Sequence, residues 1–172
     1  FYGISKRLSE QLIEEYSQEF GLNYTILRYG SVYGARSDQQ NRIYRIVREA
    51  LADGKITFMG DGEEEREYIH ATDCATLSVD LLEDPSTINK GVILTGTERF
   101  KYSSLFRLVK EILGKDIEIE FLKKDYPGHY KYTPYSFQLQ KPCKKMVCKS
   151  FIDFGQGLLG VVNHVHDELN KR

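Results

Sequence analysis

Several features that would narrow a role at once are scarce in this sequence. Cysteine is rare and odd in number: Cys74, Cys143 and Cys148 lack paired C-x-x-C spacing. That argues against a disulfide frame or a cysteine zinc site and reads as ordinary thiols of a reducing cytosol, so the expected localisation is cytoplasmic. Neither sign of charge dominates, with 24 basic against 25 acidic residues and a net charge of -1. The balance gives no electrostatic reason to expect nucleic acid or an anionic membrane as partner. No apolar run approaches the roughly 18 residues of a membrane span, so no membrane partner is expected. No metal site is expected either. His164 and His166 are two apart, on different helix faces, without a third ligand. Nor does the chain open on methionine: Phe1 leads straight into helix-like sequence, which is expected of a piece of a longer protein.

What is present suits one domain or a large part of one: 172 residues, 41% of them hydrophobic. Ile4, Leu8, Leu12 and Tyr16, widened by Ile13 and Phe20, predict a helix over 2–20 that stops at Gly21. Residues 24–29 are β-branched and aromatic and predict a strand, followed by a two-glycine bend over 30–34. Ile43, Ile46, Val47, Ala50 and Leu51 keep helical spacing up to Gly54. Strands are predicted at 56–59, 66–70, 91–94 and 117–121, and helices at about 72–83, after Ser103 or Ser104, and at about 156–170. Residues 123–150 read as irregular. Strands alternating with helices indicate an α/β fold.

The first six residues carry the sharpest chemical signal. Tyr2 and Lys6 are four apart, hence one above the other on a helix. A free phenol titrates near pH ~10 and is a poor base at neutral pH. An ammonium held beside a phenol favours the phenolate, which can then take a proton from an alcohol. Y-x-x-x-K alone is common, and gains weight only from its company.

That company is Leu27-Arg28-Tyr29-Gly30-Ser31-Val32-Tyr33-Gly34, then Gly60-Asp61-Gly62 with Arg66 and Ile69-His70-Ala71-Thr72-Asp73. In this order the three stretches resemble the extended short-chain dehydrogenase/reductase family, in its NAD-dependent nucleotide-sugar epimerase/dehydratase branch. The resemblance spans residues 1–120 well and 121–172 loosely. It implies the C-terminal part of a Rossmann-like parallel sheet (about 1–33 and 70–95), a small α/β substrate-binding lobe (about 34–69 and 96–150) and a terminal helix (151–172). It implies Tyr2 as catalytic acid/base and Lys6 as holder of the nicotinamide ribose. Tyr29, Gly30 and Ser31 would face the cofactor, with Ser31, Tyr33 and Arg66 toward the substrate. Arg66 matches an arginine that grips the substrate diphosphate, against the plain alternative of a strand charge paired with Glu63 to Glu65.

The implied cofactor is NAD, with NADP left open, and the implied partner is a nucleotide-sugar substrate. The parent would be a homodimer. Its activity would be that of an epimerase or dehydratase, foremost a UDP-sugar 4-epimerase. The family's catalytic Ser/Thr and glycine-rich phosphate loop would precede Phe1, so these residues alone are expected to be inactive. A non-catalytic nucleotide-sugar-binding or sensing domain is the rival. Departures exist: Ser31 stands where the family often has asparagine, and Tyr126-Pro127-Gly128-His129 where many relatives have Arg-Pro-Gly-Asp.

Weaker signals read as structural. Gly155 to Gly160 matches G-x-G-x-x-G, but a dinucleotide site needs a further strand and an acidic residue about 20 positions on. Twelve residues follow Gly160, so these glycines are expected to start and pack the terminal helix. His70 is expected to brace the domain, and Asp73 to cap or brace the helix after it. Lys141, Lys144, Lys145 and Lys149 read most simply as a solvated loop, with anion binding as the alternative.

Overall fold

Helix ends follow the local chemistry in the computed structural model, which describes residues 1–122 and 143–171. The helices are α1 (Tyr2–Phe20), α2 (Arg42–Asp53), α3 (Ala71–Asp80), α4 (Tyr102–Leu113) and α5 (Phe154–Asn170). The first, second and fourth end on left-handed Gly21, Gly54 and Gly114. The Asn41 side chain caps α2 by accepting from the amides of Ile43 and Tyr44, and Asp153 caps α5 in the same way from Gly155 and Gln156. Two expected caps differ. No serine caps α4: its first amides, Tyr102 and Ser103, donate to the carbonyls of Glu64 and Gly62. His70, not Asp73, caps α3, accepting from Thr72 N, while the buried Asp73 carboxylate reaches across to Ile152 N at 3.0 Å.

Among the described residues, eight strands form three small sheets: β1 (Thr25–Tyr29), β2 (Ser31–Tyr33), β3 (Lys55–Phe58), β4 (Glu65–His70), β5 (Lys90–Leu94), β6 (Arg99–Lys101), β7 (Glu118–Phe121) and β8 (Cys143–Met146). The first sheet runs β1-β5-β8, all parallel. The second runs β2-β4-β6, the last pair antiparallel. The third pairs β3 with β7 in parallel. With helices between the strands, this is the α/β class with parallel pairing.

Residues 30–34 are more than a bend. Gly30 is the link at which the chain leaves one sheet for another. Its amide still bonds Leu94 O at 2.7 Å, and Ser31 already pairs with Tyr68. A Cβ on residue 30 would stand 2.7 Å from Thr95 Oγ1, so the crossing leaves no room for a side chain. β8 is likewise ordered strand where irregular sequence was expected, and Lys145 on it, though exposed, is ion-paired: its Nζ lies 2.7 Å from buried Glu67.

Two hydrophobic clusters result. One joins α2, β3, α4 and α5, with Ile46, Val47, Phe106, Val109, Leu158 and Val161 fully buried. The other joins Ile69, Cys74, Leu77, Leu81, Val92 and Leu94 beneath α3. The G-x-G-x-x-G stretch lies inside α5. There Gly157 lets the helix close on Tyr33, since a Cβ would meet the phenol oxygen at 2.4 Å.

Candidate active site

Helix α1 delivers the Tyr2 and Lys6 side chains to one spot. Lys6 Nζ stands 5.4 Å from the Tyr2 ring centroid, an ammonium facing a phenol ring. Tyr2 is 77% exposed, so its oxygen is free to meet a ligand. The Ser5 hydroxyl donates back to the Tyr2 carbonyl of its own helix at 2.8 Å.

What fixes α1 to the sheet is a residue the sequence did not single out. Arg28 on β1 makes a two-pronged ion pair with Glu10 on α1, Nε to Oε1 at 2.8 Å and Nη2 to Oε2 at 2.5 Å. Its remaining nitrogen donates to Cys143 Sγ on β8 at 3.1 Å. Donating this hydrogen bond to Glu10 raises the guanidinium pKa further, so the tether stays charged. Residues 18 apart in sequence carry no spacing signal for such a contact.

Ser31 and Arg66 lie on paired strands, β2 and β4. Ser31 lies opposite Tyr68, two residues from Arg66, so alternation puts all three on one sheet face. Arg66 does not pair with the acidic run before it. Glu63 binds Lys101 at 2.6 Å, and Glu64 is buried and accepts from Gly62 N. The Arg66 guanidinium takes the main-chain carbonyl of Glu65 at 2.6 Å and lies over the Tyr102 ring, 5.8 Å from its centroid. No carboxylate pairs with it among the described residues.

Two predicted site residues sit differently. Tyr33 is 2% exposed, packed edge-on to Tyr68 and His70 and covered by Phe154. Burial, then the nearby Asp153 and Asp73 charges, pushes its phenol far above the ordinary range. Its hydroxyl donates to the Phe154 carbonyl at 3.5 Å, so in this chain the ring serves to pack β2 against α5. Tyr29 is half exposed, but its hydroxyl lies 3.1 Å from Ser78 Oγ on α3. The stretch 126–129 and Lys141 lie outside the described residues.

A buried carboxylate holds this region together. Glu67 accepts from Thr95 Oγ1 at 3.1 Å and pairs with Arg99 at 3.1 Å and with Lys145. A cavity of about 110 Å³ lies nearby, bordered by Tyr33, His70, Asp73, Thr95 and Cys148. It touches none of Tyr2, Lys6 or Arg66 and is not their site. No group of three or more metal-ligating side chains occurs among the described residues. No helix of the described residues is long and apolar enough to cross a membrane.

Against known families, residues 1–95 match the model of the NAD dependent epimerase/dehydratase family. The chain belongs to that family. It is 30% identical over 123 residues to an uncharacterized UDP-glucose epimerase of Bacillus subtilis, covering 72% of this chain and 39% of that one. A putative UDP-glucose 4-epimerase of Methanocaldococcus jannaschii is 28% identical over 165 residues, 94% of this chain and 52% of that one. Among solved structures, the UDP-glucuronic acid 4-epimerase of Bacillus cereus, in complex with UDP-glucuronic acid and NAD, superposes with a TM-score of 0.80. It is 26% identical and covers 97% of this chain and 52% of that one. The UDP-glucose 4-epimerase of Thermotoga maritima with UDP-glucose gives 0.79 at 26% identity, covering 98% and 54%. This chain therefore spans about half the length, or less, of the relatives it matches.

Proposed function

We propose that the intact protein is an NAD-dependent epimerase of a nucleotide-linked sugar, a UDP-sugar 4-epimerase in the first instance, and that this chain supplies its acid/base pair and substrate lobe. The observation that carries the reading is the Lys6 ammonium facing the exposed ring of Tyr2, in a chain of this family. Positive charge there stabilises negative charge developing on the phenol oxygen. Tyr2 then takes the proton of the sugar hydroxyl and returns it after the sugar has turned.

The donor set suits the cofactor: three N–H groups on Lys6 and the Tyr2 phenol can meet the two hydroxyls of a nicotinamide ribose. NAD, when bound, would accept and return the hydride of the same carbon. Gly30 and Ser31 at the end of β1 would approach cofactor and sugar, with Tyr29 beside them. Arg66, with no carboxylate on it among the described residues, would hold the diphosphate as a planar fork. Residues 1–33 and 70–95 are read as the end of the cofactor-binding core, and 34–69 and 96–150 as the substrate lobe. The residues of this chain alone are read as inactive, and the intact protein as a cytoplasmic homodimer.

Incubating the intact protein with NAD and a panel of UDP-, dTDP- and GDP-sugars, with epimers resolved chromatographically, tests the reading. Interconversion of a UDP-sugar with its 4-epimer is expected. Water loss or net reduction would shift the reading to a dehydratase or reductase. Saturable binding of a sugar nucleotide without any product would favour a sensing domain.

A further inference from the structure

Glu67 is 2% exposed, deeper in the fold than the other buried acids, Glu64 and Asp73. It follows Arg66 on β4, so alternation turns it to the opposite face of the sheet. Its two oxygens meet different parts of the molecule. Oε1 accepts from Arg99 Nε at 3.1 Å, and Arg99 lies on β6 of the same sheet, β2-β4-β6. Oε2 accepts from Thr95 Oγ1 at 3.1 Å and pairs with Lys145 Nζ at 2.7 Å. Those two partners belong with the other sheet, β1-β5-β8: Thr95 directly follows β5, and Lys145 lies on β8. One carboxylate therefore bridges both sheets. The bridge stands where the chain crosses between them, since a Cβ on Gly30 would meet the Glu67 carbonyl oxygen at 3.2 Å.

The two sheets hold different parts of the proposed site. Arg28 on β1 ties the first to α1, the helix with Tyr2 and Lys6. The second holds Ser31 and, one residue before Glu67, Arg66. Reaction between groups on separate supports tolerates little misplacement: a shift of about 1 Å can cost a hundredfold in rate. A buried ion pair adds little net stability over apolar packing of the same volume, but it has one arrangement in which every charge is met. Sliding of one sheet past the other would leave the Glu67 carboxylate buried and short of a cation.

We propose that Glu67 is a positioning residue: by bridging the two sheets it sets the distance between a sugar nucleotide held at Arg66 and the Tyr2–Lys6 pair. This role rests on the nucleotide-sugar reading above and adds to it a residue that acts without touching the substrate. Lys145 is the half of the bridge that crosses between the sheets, and Arg99 the half that stays within one. The two cations meet the same carboxylate and are similarly exposed, 43% and 51%. They form a matched pair in which only the crossing differs.

The test uses the intact protein, with turnover of a UDP-sugar at saturating NAD measured beside calorimetric affinities for NAD and for UDP. Lys145→Met is expected to lower kcat about tenfold to a hundredfold, with both affinities within about twofold of wild type, because each ligand keeps its own contacts. Arg99→Met is expected to leave kcat within about threefold. Lys145→Arg restores a cation and is expected to recover most of the lost turnover. A purely structural pair would instead lower the melting temperature of both methionine variants and leave kcat of the folded enzyme unchanged. Turnover near wild type in Lys145→Met, equal falls in Lys145→Met and Arg99→Met, or a loss of NAD or UDP affinity that matches the loss of kcat overturns the positioning role and leaves the nucleotide-sugar reading intact. A Lys145→Met protein that fails to fold overturns it as well, since the pair would then serve stability. A wild-type protein that turns over no sugar nucleotide overturns that reading and the positioning role with it.

Discussion

Helices α1 and α2 are built from the same kind of sequence and end in opposite circumstances. Both carry an apolar stripe, and both stop on a left-handed glycine, Gly21 with φ 65° and Gly54 with φ 63°. Yet α2 buries Ile43, Tyr44, Ile46, Val47 and Ala50, while α1 buries nothing. Leu8 and Leu12 on α1 stay about 60% exposed. The difference shows that propensity and periodicity make a helix, whereas packing decides how firmly it is held. The helix with Tyr2 and Lys6 is joined to the sheet chiefly through Arg28 and Glu10. Helix α2 instead sits on the close-packed cluster it forms with β3, α4 and α5.

The comparison can be broken by substitution. Phe106, fully buried among Phe58, Tyr102 and Phe121, should cost about 3–5 kcal/mol when cut to alanine, read from urea denaturation. Leu12→Ala on α1 should stay within about 0.5 kcal/mol in this chain. Equal losses at the two sites would end the contrast. A subtler probe is Asn41→Ala, which removes the cap of α2 and should cost about 1 kcal/mol. Native-state hydrogen exchange sharpens the picture further: amides of α1 should exchange through local opening well before those of α2 and α5. Protection of α1 equal to that of α5 would mean that the Arg28–Glu10 tether holds more than a surface pair usually does.

The sequence was most informative where local chemistry acts alone. The extent of α1, the glycine stops of α1, α2 and α4, and the spans of β3, β4 and β5 are set by periodicity and turn residues. It was silent where a partner far along the chain decides. β2 has three residues between glycines, and only its pairing with β4 makes it a strand. β8 presents Lys144 and Lys145, a poor strand signal, and is ordered by β5 on one side and by Glu67 beneath Lys145. Tyr33 was implied as a substrate contact by the family resemblance. In the fold it points into the core, toward α5. The Tyr2–Lys6 pair was legible because both residues share one helix.

The central claim is proton transfer by Tyr2 with the help of Lys6. The most direct measurement is turnover of a UDP-sugar by Tyr2→Phe in the intact protein, beside its affinity for NAD. The account predicts that kcat falls about 10²–10⁴-fold while cofactor affinity stays near that of wild type. Turnover within a few-fold of wild type, in a variant that still folds and binds cofactor, would contradict it.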